Sequence, residues 1–327
     1  MIWGLRVFTA TKSSSNSSIY LFLYLSIYIL LQGKMSKAVI FVIGATGKVG
    51  TATVTSLSAK CADKIDIRAG VHNLEKAEKL KAVPNVTVVQ ATMGDSNLVG
   101  ILTGVSTLYI VTPGMENRVE LVIKTAEYAK QACVKHIVLV SLPIAELPET
   151  VFGCQLSEVE DKVSKLGVPY TFSCPNFFVE NYHLYFKTPI MEQATIYFPV
   201  DPRPDTQFMP IAVEDIGKTS AVILANPESM PTAYGDCHMH GDFAKALSKA
   251  LGREIKYIRV PYESAKKSLI DSGVQEWQAD GILEGLQLID SRSPLVTGND
   301  LGVYKCLTGE SPTDLKKWVD KNAGGFQ

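Results

Sequence analysis

The sequence lacks the features that mark several functional classes. Its 327 residues include six cysteines, but no two of them form a C-x-x-C pair, so their spacing indicates neither a zinc site nor a disulfide framework. The net charge is only −1, which gives no basic surface for nucleic acid. The chain has no repeat period and no long low-complexity tract. We therefore expect a cytoplasmic protein with reduced thiols that binds neither nucleic acid nor metal.

The chain also lacks an apolar run long enough to cross a membrane. Residues 19–31 are apolar, but the run is shorter than the about 20 residues that a spanning helix needs. No small-residue cleavage site follows it, and Met35 stands just ahead of the first predicted strand. Residues 1–34 have three interpretations: a non-native or upstream-translated extension, a membrane tether through residues 19–31, or a targeting peptide. We favour the first and place residues 1–34 outside the fold.

A glycine-rich turn follows the first strand that the sequence predicts. Residues 38–43 form an uninterrupted apolar run, which is typical of a strand buried on both faces of a parallel sheet. Gly44, Gly47 and Gly50 follow it, and residues 51–60 have helical character. Such a unit presents backbone N–H groups and a helix N-terminus to a pyrophosphate. The spacing is G-x-x-G-x-x-G rather than the G-x-G-x-x-G of the usual fingerprint.

A nucleoside triphosphate loop of the Walker type does not fit this turn. It would require glycine where Val42 stands, and serine or threonine after Lys48, where Val49 stands. A plain turn with incidental glycines remains the alternative to a dinucleotide site. We predict that the turn binds a dinucleotide through six residues: Gly44, Thr46, Gly47, Lys48, Val49 and Gly50.

Strands and helices alternate beyond the turn. Further strands are predicted at residues 65–71, 86–90, 106–111, 135–141 and 170–173. This alternation predicts an α/β fold with a doubly wound, right-handed parallel sheet of the Rossmann type. Ligands of such folds bind at the carboxyl ends of the strands. These ends add further predicted cofactor contacts: His72, Thr92, Met93, Thr112, Pro113 and Ser141.

The end of the second strand determines which nicotinamide cofactor we expect. An acidic residue there would hydrogen-bond the adenosine ribose of NAD, whereas an arginine would favour the 2′-phosphate of NADP. The sequence has His72 at this point, with Lys76 one turn further on and Arg68 within the strand. We predict NADP, with NAD possible. The alternative for His72 is an ordinary surface-loop residue.

The chain loses its regular alternation in its second half. The last helix is predicted over residues 311–322, with Ser311 as its cap and Pro312 in its first turn. We predict a dinucleotide-binding domain of residues 35–175. A smaller, mixed α/β lobe of residues 176–327 is interleaved with it, and a small-molecule substrate is expected in a cleft between the lobes.

A few polar residues precede or open this second half. Tyr170, Asn181 and Tyr182 are the candidates for a catalytic role, because with His183 they are the polar groups expected nearest the nicotinamide. Asn181 and Tyr182 could orient a substrate carbonyl. The alternative is that they hold the loop between the two lobes, and the catalytic residues stay unassigned.

Five stretches of the chain together resemble one family: residues 44–50, 135–141, 167–181, 210–217 and 307–318. This is the NmrA-like family of atypical short-chain dehydrogenases/reductases, and the resemblance covers residues 37–326. It implies a Rossmann-like fold that binds NADP, and it adds Pro175 and Phe177 to the expected cofactor contacts. The family includes quinone and dye reductases, and also proteins that bind NADP as redox sensors and regulate partners without turnover.

The sequence differs from the short-chain dehydrogenases at the positions that carry out their proton transfer and bind their cofactor. A short-chain dehydrogenase uses Tyr-x-x-x-Lys, in which the lysine lowers the pKa of the tyrosine. The corresponding positions hold Phe152 and Leu156, and neither side chain can pass a proton. Cys174 replaces the arginine of a frequent Leu-Arg-Pro motif, Thr92 replaces an acid near the adenine, and His72 replaces an arginine at the 2′-phosphate.

Two functions of different classes remain. The first is an NAD(P)H-dependent reductase of quinone-like or other small electrophiles, in which the protein contributes position more than acid–base chemistry. The second is a non-catalytic NADP(H) sensor that acts through a protein partner, and Phe152 and Leu156 suit it. We favour the reductase, as a monomer or homodimer. His238 and His240 form an i,i+2 pair without the further ligands that a metal site needs.

Overall fold

The computed structural model describes residues 37–202, 210–227, 240–297 and 301–327. The chain divides into a unit of Met1–Lys37 and a unit of Ala38–Gln327. Of the first unit, the structure describes Lys37 alone. The interpretations of residues 1–34, including the tether, therefore fall outside the described residues. Across the described ranges, every helix is too short or too polar to span a bilayer.

The first lobe is built on six parallel strands in the order β3-β2-β1-β4-β5-β6. These strands are β1 Ala38–Ile43, β2 Ile65–Val71, β3 Val86–Gln90, β4 Thr107–Val111, β5 His136–Val140 and β6 Tyr170–Ser173. In register, Val42 of β1 pairs with Ala69 of β2 on one side and with Tyr109 of β4 on the other. The chain order reverses at β1, which creates the crevice where dinucleotides bind in such sheets. The predicted doubly wound α/β fold is confirmed.

Helices cover both faces of this sheet because its strands are apolar on both sides. Six helices belong to the first lobe: α1 Lys48–Cys61, α2 Glu78–Lys81, α3 Leu98–Ile101, α4 Arg118–Gln131, α5 Val151–Ser164 and, later in the chain, α7 Val213–Ala225. Helix α6 Asn181–Gln193 lies between α5 and α7 in sequence and packs in the second lobe. Val54 of α1 and Ile216 of α7 pack on one face of the sheet. Val122 of α4 and Val159 of α5 pack on the other.

Helix α7 joins the first lobe although it lies far along the chain. Its Gly217 faces α1 so closely that a Cβ there would stand 2.6 Å from the backbone carbon of Ala52. An isolated parallel bridge joins Phe178 and Ile211 just before α7 begins. The packing of α7 against α1 therefore adds a late segment of the chain to the core of the six-stranded sheet.

The second lobe is a smaller mixed layer. It contains α6, the parallel strands β7 Thr195–Phe198 and β8 Lys256–Arg259, and the helices α8 His240–Leu251, α9 Tyr262–Asp271, α10 Glu276–Asp290, α11 Pro294–Thr297, α12 Leu301–Thr308 and α13 Leu315–Asn322. Aromatic rings form its core. Tyr182 stacks on Phe243 at 4.0 Å between centroids, and Phe186 meets Phe198 edge to face.

The prediction for the last helix was wrong at its start. Helix α13 begins at Leu315, not at Ser311, and Asp314 rather than Ser311 caps it by accepting a hydrogen bond from the Lys317 amide at 2.7 Å. The buried carboxylate of Asp215 explains the difference, because it accepts hydrogen bonds from the amide and hydroxyl of Thr313. That anchor keeps the chain before Asp314 extended.

Candidate cofactor and substrate site

The glycine turn after β1 is closed tightly on itself. Gly44 has a φ of +79°, which favours glycine, and its carbonyl accepts a hydrogen bond from the Gly47 amide at 3.1 Å. A Cβ on Gly50 would stand 2.4 Å from the same carbonyl oxygen, a distance that real Cβ atoms do not adopt. The Thr51 hydroxyl adds a bond of 2.9 Å to the Ala45 carbonyl. The turn therefore requires glycine at positions 44 and 50.

The start of α1 offers an anion site. Gly47 occupies the N-cap, no side chain caps the helix, and no acidic residue lies in its first turn. Thr46, Gly47 and Lys48 are exposed, while Val49 is buried. Uncapped N-terminal amides with a lysine beside them suit a pyrophosphate. The residues present therefore fit a dinucleotide.

Two of the residues predicted near the adenosine meet each other. His72 Nδ1 lies 2.9 Å from the Thr92 hydroxyl, across the ends of β2 and β3, and both residues are exposed. Met93 lies beside them, and its Cε is 3.6 Å from the point where a Cβ on Gly44 would be. Arg68 does not join this group, because its guanidinium donates to the carbonyls of Ile101 and Thr103.

A cavity of about 390 Å³ lies at the carboxyl ends of β4, β5 and β6, against α6 and α10. Its volume is in the range of small-molecule sites. Seven residues singled out in the sequence line it: Val49, Thr112, Pro113, Ser141, Pro175, Phe177 and Asn181. Because Val49 belongs to α1, the cavity reaches the glycine turn.

Helix α6 places its two neighbouring candidates on opposite faces. Asn181 lines the cavity, together with Leu184 and Tyr185. Tyr182 points the other way and is only 2% exposed within the core of the second lobe. Tyr185 is a cavity residue that was not predicted. Burial raises its pKa to about 12, so its phenol stays protonated at neutral pH.

Tyr170 is not near this cavity. It is the first residue of β6, so it lies at the amino end of a strand whose carboxyl end borders the site. Its ring is half exposed and packs on Phe172 at 4.8 Å between centroids. The structure therefore brings Asn181 to the site and leaves Tyr170 and Tyr182 elsewhere.

The two positions that hold tyrosine and lysine in short-chain dehydrogenases also face this cavity. Phe152 and Leu156 stand on α5 and line the wall. A Cβ on Gly281 of α10 would stand 2.5 Å from the Phe152 ring, so glycine at position 281 makes room for that ring. Both wall positions are apolar, and neither supplies a proton.

Ser141 directly follows β5 and lies beside the half-buried carboxylate of Glu160. Its hydroxyl donates to the carboxylate of Glu160 on α5, and burial raises the pKa of Glu160. The nearby Cys174 thiol has its pKa raised to about 12, first by burial and then by Glu160 and Glu146. A thiol in such surroundings stays protonated and is a poor nucleophile.

Asn176 is a second cavity residue that was not predicted. It lines the wall with 4% exposure, and no described residue forms a hydrogen bond with its side chain. Its amide atoms reach the open space of the cavity, where a ligand can contact them. The signal lay in the stretch of residues 174–181, where a polar residue interrupts proline and aromatic residues.

The histidines do not build a metal site within the described ranges. His238 lies outside the described residues, and His240 begins α8. Among the described residues, no group of three or more His, Cys, Asp or Glu side chains could hold a metal ion. His136 at the start of β5 is buried, with Nε2 at 2.9 Å from the Thr171 hydroxyl.

Comparisons with known proteins agree with this architecture. The model of the NmrA-like family matches residues 36–283. The NAD(P)H azoreductase of Xenophilus azovorans is 30% identical over 297 residues, which cover 88% of this chain and 99% of the azoreductase. The NADPH-dependent quinone oxidoreductase of Escherichia coli, solved with NADPH, has a TM-score of 0.74 at 23% identity and covers 86% of this chain and 99% of its own. The negative transcriptional regulator NmrA, solved with NAD, has a TM-score of 0.70 at 19% identity, covering 88% and 95%.

Proposed function

The chain belongs to the NmrA-like family, and we propose that it is an NAD(P)H-dependent reductase of small electrophiles such as quinones. One observation carries the proposal: the cavity at the strand ends also includes Val49 of the helix that follows the glycine turn. A dinucleotide held at the turn would thus extend its nicotinamide into a largely apolar cavity. The azoreductase and the quinone oxidoreductase named above are reductases by their names, which supports the same conclusion.

Because the glycine turn fits a dinucleotide, its position indicates which residues would hold the cofactor. Gly44–Gly50 and the first amides of α1 would bind the pyrophosphate, and His72 with Thr92 would contact the adenosine ribose or its phosphate. When bound, NAD(P)H supplies a hydride to an electron-poor substrate atom. Thr112, Pro113 and Ser141 would border the nicotinamide from the ends of β4 and β5.

The cavity wall would orient the substrate and exclude water from it. Asn176 offers an unpartnered amide that can donate to a substrate carbonyl. Tyr185 offers a protonated phenol whose hydroxyl has no hydrogen-bond partner among the described residues. A quinone that accepts a hydride needs one proton, and Tyr185 is placed on the cavity wall to provide it. A chain without the Tyr-x-x-x-Lys pair could therefore still reduce a quinone, because Tyr185 would supply the proton instead.

The test is a nucleotide titration of the full chain, followed by a panel of quinones. We expect the fluorescence of NADPH to change on binding with higher affinity than that of NADH. Oxidation of bound NADPH after a quinone is added would support the reductase. Binding without oxidation of any quinone would contradict it. Failure to bind either nucleotide would remove the basis of the whole proposal.

One observation favours a second candidate, a non-catalytic NADP(H) sensor. Phe152 and Leu156 both face the cavity and deprive it of the usual proton-transfer pair. NmrA, which shares the fold, is named as a negative transcriptional regulator. Tight nucleotide binding that persists without turnover would favour this candidate, and a pull-down with and without NADP would then reveal a protein partner.

A further inference from the structure

Arg118 occupies an unusual position in the wall of the cavity. It is the first residue of α4, it lines the cavity, and it is only 6% exposed. Its guanidinium carbon lies 4.8 Å from the ring centroid of Phe152 and 5.1 Å from that of Trp277. These two rings meet edge to face at 5.9 Å. The guanidinium therefore sits in a corner formed by two aromatic rings, one from α5 and one from α10.

The charge in this corner has no counter-charge. Nε of Arg118 is fully buried without a hydrogen-bond partner, and none of the guanidinium nitrogens pairs with a carboxylate or other acceptor among the described residues. Burial lowers the pKa of the group to about 10, so it remains charged at neutral pH. A buried charge without a partner is strongly unfavourable. Contact with aromatic rings offsets only part of that cost.

The helix makes the position still less favourable for a cation. Arg118 stands at the N-terminus of α4, where the helix dipole favours negative charge, and Asn117 forms no side-chain cap. Glu120 already supplies a carboxylate in the first turn and pairs with Lys124, so Arg118 is the group that attracts an anion at this cavity. This corner is therefore suited to receive a negative group from outside the chain.

We propose that Arg118 is a specificity-determining residue that binds a carboxylate or sulfonate on an aromatic substrate; this inference rests on the proposed reductase function. The rings of Phe152 and Trp277 hold the guanidinium plane, and its N–H edge is free to donate two parallel hydrogen bonds to an oxyanion. Other parts of the wall, such as Phe177 and Leu286, are apolar and suit the aromatic body. The substrate class is thus an aromatic electrophile that carries an acidic group.

The first test measures binding without chemistry. Isothermal titration calorimetry of the full chain with NADP⁺ present compares 2-naphthalenesulfonate with the neutral 2-naphthol. We expect the wild-type chain to bind the sulfonate at least tenfold more tightly than the naphthol. Arg118→Met keeps the apolar stem but removes the charge, and it should abolish this preference while leaving naphthol binding unchanged. Lys124→Met is the matched control, since it removes an exposed cation from the same helix.

Three results would overturn the proposal. The wild-type chain could show no preference for the sulfonate, or Arg118→Met could keep the preference. Alternatively, Arg118→Met could weaken NADP⁺ as much as the sulfonate, which would assign the guanidinium to the cofactor. Arg118→Lys serves as the second variant if Arg118→Met does not fold, and it should retain part of the preference because it keeps the charge but not the planar donor edge.

A turnover assay distinguishes a failure of this inference from a failure of the proposed reductase function. The reductase assay compares 1,2-naphthoquinone with its 4-sulfonate, and Arg118→Met should raise the KM of the sulfonate at least tenfold while changing that of the neutral quinone less than twofold. If neither quinone is reduced but the sulfonate preference in calorimetry depends on Arg118, the reductase fails and the anion site stands. If both quinones are reduced equally by both proteins, the anion site fails and the reductase stands.

Discussion

Gly50 lies directly against the carbonyl oxygen of Gly44, and a Cβ at position 50 would stand 2.4 Å from it. Gly50→Ala must therefore push the turn apart, at a cost of about 1–3 kcal/mol of unfolding free energy. We expect NADPH to bind at least tenfold more weakly, measured by fluorescence titration, with a lowered Tm. Gly100→Ala is the control, because a Cβ at position 100 meets nothing within 4 Å. Unchanged affinity in Gly50→Ala would show that the turn does not bind the nucleotide.

Cofactor preference can be tested at the pair of His72 and Thr92. His72→Asp places a negative charge beside the expected 2′-phosphate, so NADPH affinity should fall about tenfold, which corresponds to about 1.4 kcal/mol. NADH affinity should stay the same or increase, because an acid can accept from the ribose hydroxyl. Titrations with both nucleotides measure the ratio. Equal losses for NADPH and NADH would indicate that His72 is not part of the adenosine site.

The two tyrosines of α6 should behave oppositely. Tyr185→Phe removes the phenol that faces the cavity, and we expect kcat with a quinone to fall at least tenfold if that phenol donates the proton, since general acids contribute about 10²–10⁴. Tyr182→Phe should leave kcat unchanged, because Tyr182 lies in the core of the second lobe. Steady-state kinetics of both variants decide the matter. A larger loss in Tyr182→Phe would reverse the assignment.

His183 should make the fold less stable in acid. Its ring stacks on Phe326 at 4.2 Å, and its pKa is lowered from 6.5 by burial, then by Lys48 and Lys187. Below pH 6.5 the unfolded chain therefore binds a proton that the folded chain resists, so stability present above that pH is lost as the pH falls.

The variant His183→Gln, which cannot titrate, checks this linkage. Urea unfolding at pH 7.5 and pH 5.5 should show a smaller loss of unfolding free energy for His183→Gln than for the wild-type chain. Each protein is compared with itself at pH 7.5. Any stability that the variant loses at both pH values, such as that of the stacking on Phe326, therefore cancels. Equal losses in acid would show that His183 does not carry the effect.

The elements that could be predicted from sequence are those with local causes. A strand buried on both faces needs a continuous apolar run, and residues 38–43 supply one, so β1 was predicted with its exact bounds. Gly44 and Gly50 are required by contacts within a few positions along the chain. The spacing of three glycines was therefore sufficient to locate the turn.

The faces of α6 were harder to predict because they depend on helix phase. Tyr182, Phe186 and Ile190 share a face at steps of four and are buried. Asn181 and Tyr185 share the adjacent face by the same step and line the cavity. The sequence showed a group of polar residues, but not which of them would point into the core.

The corner around Arg118 could not be predicted from sequence at all. Phe152 and Trp277 come from helices that are distant along the chain, and they meet at Arg118 only through packing of the two lobes. The room for Phe152 depends on Gly281, whose role is visible only in the structure. The same holds for the start of α13, which is set by the distant carboxylate of Asp215.

The return of α7 to α1 has a consequence for how the protein is made. A ribosome releases the six strands before it releases Val213–Ala225, so the face of the sheet that α1 covers in part stays incomplete until α7 is made. Ile216 and Ile223 are the side chains that later close that face. The last contacts of this face therefore form only after the residues between β6 and α7 have also been made.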